Sequence, residues 1–164
     1  MKLADTYIIL ELDGAAYGVR SDQVQHVEML ETVTPVPNTA PAVDGVVFSR
    51  GDVIPAINLR ARFGLPRQAP TARTRLVFLK VERRVVALIV DAAREFQRIP
   101  PESIRPIQET LVGIEGNYVG GVATVKGRNV LILDIGAVLT LEEMSIPDGA
   151  ATLLAPVAQA SSNP

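Results

Sequence analysis

The chain has 164 residues, with 16 Lys and Arg against 18 Asp and Glu, so it lacks the positive field that holds a polyanion. It contains no cysteine, which excludes disulfides, thiolate metal sites and a cysteine nucleophile and fits a cytoplasmic protein. Its longest apolar run, Val85 to Val90, is far shorter than the roughly 20 residues that span a bilayer. We therefore expect no nucleic-acid partner and no direct membrane insertion.

A β-hairpin is predicted at the start of the chain. Tyr7 to Leu12 is a mostly apolar run that includes β-branched residues, and Ala16 to Val19 is its return strand. Asp13-Gly14 between them favours the positive φ angles of a two-residue turn. The pattern therefore predicts two antiparallel strands joined by a tight turn.

A short turn and a loop are predicted after this hairpin. Ser21 is a candidate N-cap, and Val24 and Val27 would lie on one face of the short helix or turn that follows. A third strand is expected near Glu28. The three prolines in Pro35 to Pro41 exclude this stretch from the interior of a sheet, because proline lacks the N–H donor of a ladder.

A second hairpin and a helical turn complete the first half of the chain. Val43 to Val47 and Asp52 to Asn58 flank Arg50-Gly51 as paired strands. Leu59 to Leu65 is expected to form one or two helical turns, because a glycine and a proline then end it. Gln68 to Thr74 links this half to the next.

The second half predicts the same elements in the same order. Its predicted strands are Arg75 to Val81, Arg84 to Val90, Glu95 to Ile99, Tyr118 to Lys126 and Val130 to Asp134. Pro100-Pro101 opens a loop, Gly127-Arg128-Asn129 closes a hairpin, and Gly136 to Glu143 is expected to be helical. Ala, Ser, Pro and Thr dominate after Met144, so residues 146–164 are expected to form a flexible tail.

The two halves are an internal repeat. Val43-Asp44-Gly45-Val46 and Arg50-Gly51 return 76 residues later as Val119-Gly120-Gly121-Val122 and Lys126-Gly127, and the first hairpin returns 69 residues later. Each unit has only about 65 residues, near the size at which a lone barrel is marginal, so we expect the two units to pack on each other. A duplicated barrel has two faces and a seam, which suits a connector better than a catalyst.

Few residues in the chain suggest catalysis. His26 is the only histidine, and a general base also needs an orienting partner and a nucleophile within reach. No serine lies in a Gly-x-Ser-x-Gly turn, and the glycines of residues 113–121 lack the order of a phosphate-binding loop. Four aspartates could be imagined as a metal cluster, although turn positions explain them better: Asp44, Asp52, Asp91 and Asp134. We therefore expect no enzyme activity, no metal and no cofactor.

Short motifs follow one another along the chain in a specific order and spacing. In the first half they are Tyr17-Gly18-Val19, Val24-x-x-Val27, Thr34-x-Val36-Pro37, Gly45-Val46, Arg50-Gly51, Val53-Ile54-Pro55, Leu59-Arg60 and Phe63. In the second half they are Val85 to Asp91, Ile104-Arg105-Pro106, Tyr118-Val119-x-Gly121-Val122, Leu131 to Asp134 and Leu141-Glu142-Glu143-Met144. Together, over about residues 5–150, they resemble the CheW family of chemotaxis coupling proteins.

The resemblance implies an all-β fold, mainly β with short helices, of two tandem SH3-like five-stranded β-barrels packed together. A single CheW-like domain would cover residues 1–145. Its two barrel subdomains would cover about residues 15–66 plus one end of the chain, and about residues 75–140.

The implied function is a non-catalytic adaptor that is cytoplasmic and associated with membrane receptor arrays. Such adaptors couple the cytoplasmic tip of methyl-accepting chemoreceptors to the regulatory domain of a CheA-type histidine kinase. The alternative is a related adaptor of another pathway, such as surface motility or pilus control, or a paralogue that tunes a receptor array. A small β-barrel enzyme or ligand carrier is the rival from another class, and it would need a closed pocket lined by convergent polar groups.

The expected receptor and kinase interface comprises Val24, Gly45, Arg50, Phe96, Gly120 and Gly121. The first four carry over from the family by position, and the two glycines mark where we expect barrel-to-barrel packing. Val24 is equally compatible with core packing, Phe96 with a core or a groove wall, and Gly45 with a backbone constraint. Arg50 is the strongest candidate, because an arginine beside a hairpin glycine projects outward and arginine is enriched at interfaces.

The chain departs from the family pattern around the second hairpin. Phe48-Ser49-Arg50-Gly51 stands where the family usually has Asn-Leu-Arg-Gly, and Asn58 stands where it usually has Asp. His26 stands where an acidic residue usually follows Val-x. If His26 lies near Arg50, a charge attraction is lost, and protonation of the imidazole would add repulsion.

Deleting residues 150–164 is expected to leave the fold intact, because a segment of this composition cannot bury enough apolar surface to order itself. Thermal unfolding of the truncated chain should give a melting temperature within about 2 °C of the full chain. A fall of about 10 °C would instead show that the segment packs on the barrels.

Overall fold

The computed structural model describes residues 5–107, 118–139 and 143–144. In these ranges the chain forms ten strands and two short helices. The strands are β1 (Thr6–Leu12), β2 (Ala15–Arg20), β3 (Val24–Met29), β4 (Val43–Ser49), β5 (Asp52–Asn58), β6 (Arg75–Val81), β7 (Arg84–Val90), β8 (Ala92–Arg98), β9 (Val119–Val125) and β10 (Arg128–Leu133). The helices are α1 (Leu59–Arg62) and α2 (Ile135–Val138). The expected tail, residues 146–164, lies outside the described residues.

The strands form two five-stranded sheets with the same plan. Sheet A has the order β8-β1-β2-β10-β9, and sheet B has the order β3-β6-β7-β5-β4. Replacing each strand by its counterpart in the repeat converts one order into the other, so the duplication in sequence is also a duplication in structure. In each sheet one pair is parallel, β2 with β10 and β5 with β7, and the other pairs are antiparallel.

Each sheet takes strands from both halves of the chain. The β1–β2 hairpin joins β8, β9 and β10, whereas the β6–β7 hairpin joins β3, β4 and β5. The two sheets therefore do not follow the subdomain boundaries expected from the sequence, about residues 15–66 plus one end and about residues 75–140. The repeat could not reveal this exchange, because equivalent strands carry equivalent residues and each hairpin suits either half.

Alternate residues along the exchanged hairpins face two different cores. We call the barrel formed by sheet A barrel A and the barrel formed by sheet B barrel B. In β1, Tyr7 and Ile9 face the core of barrel A, whereas Ile8 and Leu10 face a central core shared by both sheets. Strands β6 and β7 divide their side chains in the same way between the central core and the core of barrel B. A strand buried on both faces is apolar throughout rather than alternating, which explains the continuous run Val85 to Val90.

The central core holds the two barrels together. Its completely buried side chains come from both sheets and both helices: Leu10, Leu12, Val19, Ile57, Leu59, Val77, Leu79, Val86, Leu88 and Val138. Burying one such side chain contributes about 1.5–3 kcal/mol relative to exposure. Separating the barrels would expose this layer, so we expect the described residues to unfold as one unit.

Residues 21–29 differ from the sequence-based expectation. The predicted helix or turn is limited to a 3-10 turn at Ser21–Gln23, and Val24 already belongs to β3. Arg20, not Ser21, occupies the N-cap position of this turn, contrary to expectation. Pairing of β3 with β6, as between Val27 and Val77, provides ladder hydrogen bonds that outweigh the local helical tendency.

A buried arginine connects the two sheets. Arg60, on α1 directly after β5, is 7% exposed and donates from Nε and Nη2 to the two carboxylate oxygens of Asp91 at 2.8 and 2.7 Å. Asp91 lies between β7 of sheet B and β8 of sheet A, and it also accepts from the backbone N–H of Asp13 at 2.9 Å. The hydrogen bond with Arg60 lowers the pKa of Asp91, and the same bond raises the pKa of Arg60.

Asp91→Asn is expected to reduce the free energy of unfolding at pH 7 by about 2–3 kcal/mol, because Arg60 would keep a buried charge without its main carboxylate partner. A lowered native pKa means that the stabilisation by Asp91 is complete above the unfolded pKa of about 3.9 and is lost as the pH falls through the native value. Urea unfolding should therefore show the two proteins converging below about pH 4. Equal stability at pH 7 would contradict this role of the pair.

Candidate docking surfaces

The six expected interface residues are divided between the two sheets. Sheet B carries Val24, Gly45 and the turn residue Arg50, whereas sheet A carries Phe96, Gly120 and Gly121. The structure therefore does not bring all six together on one surface.

The Arg50 turn is built twice. Arg50 and Gly51 connect β4 to β5 with φ angles of 51° and 84°, and Lys126 and Gly127 connect β9 to β10 with φ angles of 52° and 77°. Positive φ at both central residues is typical of tight hairpin turns. Both cations are exposed at the tips of their turns. Lys126 is not among the interface residues predicted from the sequence, although its offset of 76 from Arg50 indicates the equivalent turn.

A shallow depression of about 320 Å³ lies beside Arg50, where the core of barrel B reaches the surface. Its lining residues are Gln25, His26, Ser49, Arg50, Asp52, Val53, Ile54 and Val85, and we call it the Arg50 mouth. Polar and charged groups surround an apolar floor. This arrangement suits the side chains of a docking protein, since a specific interface combines an apolar centre with a polar rim.

His26 lies in the Arg50 mouth and pairs with Glu28, a residue of the same strand, β3. Its Nε2 is 2.6 Å from Oε2 of Glu28, and the hydroxyl of Ser49 donates to the same oxygen at 3.4 Å. The imidazole stacks on Phe78, with ring centroids 4.3 Å apart and an interplanar angle of 16°. Glu28 thus supplies a carboxylate at this mouth, and its contact with Ser49 joins the two edge strands, β3 and β4, across barrel B.

Val24 and Gly45 have structural roles in sheet B. Val24 is partly buried against the central core, as the packing interpretation predicts. Gly45 is buried with a φ angle of 150°, and a Cβ there would lie 2.1 Å from the carbonyl oxygen of Thr34. The backbone of Thr34 bonds to Val46 at this point, so the close approach of two chains requires glycine.

Phe96 and Gly120 are exposed on sheet A. Phe96 is 62% exposed on β8, which excludes the core interpretation for this side chain. Gly120 is exposed on β9, and a Cβ there would make only an ordinary contact, 3.9 Å from the carbonyl oxygen of Ile132. Gly121 is buried, and a Cβ there would lie 2.6 Å from Cγ2 of Ile104 and 2.9 Å from the carbonyl oxygen of Arg105. Both glycines belong to β9, within the strand predicted at Tyr118 to Lys126.

A cleft of about 360 Å³ lies along the linker between the two halves of the chain. Two of the arginines that line it have carboxylate partners, since Arg67 pairs with Asp44 at 2.8 Å and Arg60 pairs with Asp91. Within the ranges that the structure describes, no group of three His, Asp or Glu side chains could hold a metal ion. None of the helices there has the length and apolar character that a membrane crossing requires.

A profile of the CheW-like domain matches residues 6–143. The chain belongs to the CheW-like domain family. Chemotaxis protein CheW of Klebsiella aerogenes is 30% identical over 145 residues, which cover 88% of this chain and 87% of that protein. Chemotaxis protein CheW of Bacillus subtilis is 28% identical over 152 residues, which cover 92% and 97%. The resemblance to a chemotaxis adaptor family is thus confirmed.

A solved structure has the same CheW fold. The crystal structure of the scaffolding protein TtCheW from Thermoanaerobacter tengcongensis matches with a TM-score of 0.77 and covers 87% of this chain and 98% of that one. At 24% sequence identity this likeness concerns the fold alone. It confirms the expected all-β fold of two SH3-like five-stranded barrels.

Gly121→Ala is expected to destabilise the protein by about 1–3 kcal/mol, because the added methyl group must displace Ile104 and the backbone of Arg105. Gly120→Ala is the matched control on the same strand, and its effect should stay within about 0.5 kcal/mol. Urea unfolding of the two variants measures both changes. Similar effects at the two positions would show that the close approach at Gly121 does not decide its identity.

Proposed function

We propose that this chain is a non-catalytic scaffold of bacterial chemotaxis signal transduction that couples methyl-accepting chemoreceptors to a CheA-type histidine kinase. Membership of the CheW-like family over residues 6–143 supports the proposal. The observation that supports a specific docking surface is the Arg50 mouth, where an exposed arginine on a tight turn lies beside an apolar floor. The scaffold would act in the cytoplasm, associated with membrane receptor arrays.

The receptor would bind through its helical cytoplasmic tip at the Arg50 mouth. Helices dock by laying apolar side chains into a shallow groove, while charges on the rim set the orientation. Asp52 and Glu28 lie on or beside this mouth with Arg50, so the rim offers both signs of charge. A receptor tip that carries apolar and charged side chains on one face would match it.

The kinase regulatory domain would bind at the other barrel, near the start of β9. Gly120 is exposed there on the edge strand of sheet A, so another backbone can approach closely. Exposed edge strands are ready templates for contact with a second β-barrel. Because the central core holds the two barrels as one body, receptor and kinase would be kept at a fixed separation, which raises their effective concentration for each other.

Arg50→Glu is expected to weaken binding of a soluble receptor cytoplasmic fragment about tenfold, because the substitution reverses a charge on the rim of the contact. The melting temperature should remain unchanged, since position 50 is exposed and a non-glycine residue already adopts its positive φ angle. Calorimetric titration and thermal unfolding provide the two measurements.

Lys126→Glu is the matched control, because it reverses the charge at the equivalent turn of the other barrel. It should leave receptor affinity unchanged. Equal losses in both variants would assign the effect to the overall charge of the protein rather than to the Arg50 mouth. Unfolding of Arg50→Glu would show that Arg50 is structural.

A further inference from the structure

Three arginines converge on one half-buried carboxylate at the open end of barrel A. The side chain of Glu11 is 15% exposed, and its oxygens lie 2.5 Å from Arg73 Nη2 and 3.5 Å from both Arg94 Nη1 and Arg128 Nη2. These arginines come from the linker, β8 and β10, so they are brought together only by the fold. One carboxylate balances one guanidinium, which leaves a surplus of two positive charges at this point.

A depression of about 190 Å³ lies beside this cluster, and we call it the Lys126 mouth. Its floor is apolar and consists of Ile9, Ala16, Val125 and Val130, which belong to or pack on the core of barrel A. Its rim consists of Arg94, Glu95, Lys126 and Arg128. Lys126 Nζ is 3.8 Å from Glu95 Oε1, so the surplus charge remains with the arginines.

The Lys126 mouth is the repeat counterpart of the Arg50 mouth, but its charge is different. Arg94 stands at the position of Gln25, and Arg128 stands at the position of Asp52. The two mouths therefore have the same place in their barrels and the same type of turn, with two arginines replacing an amide and a carboxylate. This difference favours a different partner at each mouth.

We propose that the Lys126 mouth docks an acidic segment of a partner protein. Carboxylates of the segment would pair with the surplus guanidinium groups, since a guanidinium can bind a carboxylate through two parallel hydrogen bonds. An apolar side chain of the segment would cover the floor. A nucleic acid fits less well, because the net charge of the chain is −2 and the mouth has no aromatic side chain for base stacking. The site is independent of the proposed receptor contact, since it lies in the other barrel.

The test is an NMR titration of the full ¹⁵N-labelled chain with the pentapeptide Glu-Glu-Leu-Glu-Glu, whose termini are acetylated and amidated. The control peptide has glutamine in place of each glutamate. The acidic peptide should shift the amide signals of Lys126–Val130 in a saturable manner and bind about tenfold tighter than the control peptide. Absent shifts, shifts confined to other residues, or equal binding of the two peptides would overturn the proposal.

Two substitutions should change the affinity for the acidic peptide in opposite directions. Glu11→Gln should tighten binding of the acidic peptide about threefold, because it removes the carboxylate that competes for the three arginines. Arg128→Gln should weaken binding about threefold, whereas Lys80→Gln, which removes an exposed positive charge from sheet B, should change nothing. If Glu11 acted only in holding the fold, Glu11→Gln would weaken binding instead, and that result would overturn the proposal.

A sedimentation assay with phosphatidylglycerol vesicles separates a protein partner from a lipid surface. The chain should remain in the supernatant at physiological ionic strength. Sedimentation that depends on Arg94 and Arg128, together with failure of the acidic peptide to bind, would assign the cluster to anionic lipid and overturn the proposal.

Discussion

The β1–β2 and β6–β7 hairpins each pack against a barrel core on one face and against the central core on the other, and the rest of the structure depends on this double burial. Since each hairpin belongs to a barrel completed by the other half of the chain, neither half can form its barrel alone. Arg60 and Asp91 lie at the same junction. A buried ion pair contributes little net stability compared with apolar packing, but its bidentate geometry fixes how the two sheets meet.

This construction places both mouths on rigid supports. Each mouth opens where a barrel core reaches the surface, beside a turn whose positive φ angles fix its tip. The two mouths occupy equivalent positions in their barrels, but their rims carry different side chains. In barrel B, His26 and Glu28 form a mixed polar rim, whereas in barrel A the arginines around Glu11 give a cationic one. Different chemistry at the two mouths would let them discriminate between partners, since specificity is a difference between affinities.

The sequence was a good guide to residues whose roles are set by the local backbone. Arg50 was predictable as an exposed side chain, because it precedes a glycine in a tight turn. Gly45 was predictable as a backbone requirement, and the structure shows the carbonyl that leaves no room for a side chain. Phe96 could not be assigned from its neighbours, because a strand residue may face either side until the sheet is known. The pairing of His26 with Glu28 was also beyond sequence, since it depends on how side chains pack in β3 and β4.

By itself, the sequence determined most of the strands and turns and the duplication, because hydrophobic runs, glycine, proline and acidic turn residues act over a few neighbours. It also indicated a connector rather than a catalyst, through the lack of recognisable catalytic motifs. Only the tertiary structure decided which hairpin completes which barrel and which distant charges meet, as at Arg60 with Asp91 and at Glu11 with its arginines. These choices depend on contacts between residues far apart in the chain, and a repeat whose halves are interchangeable in local pattern cannot specify them.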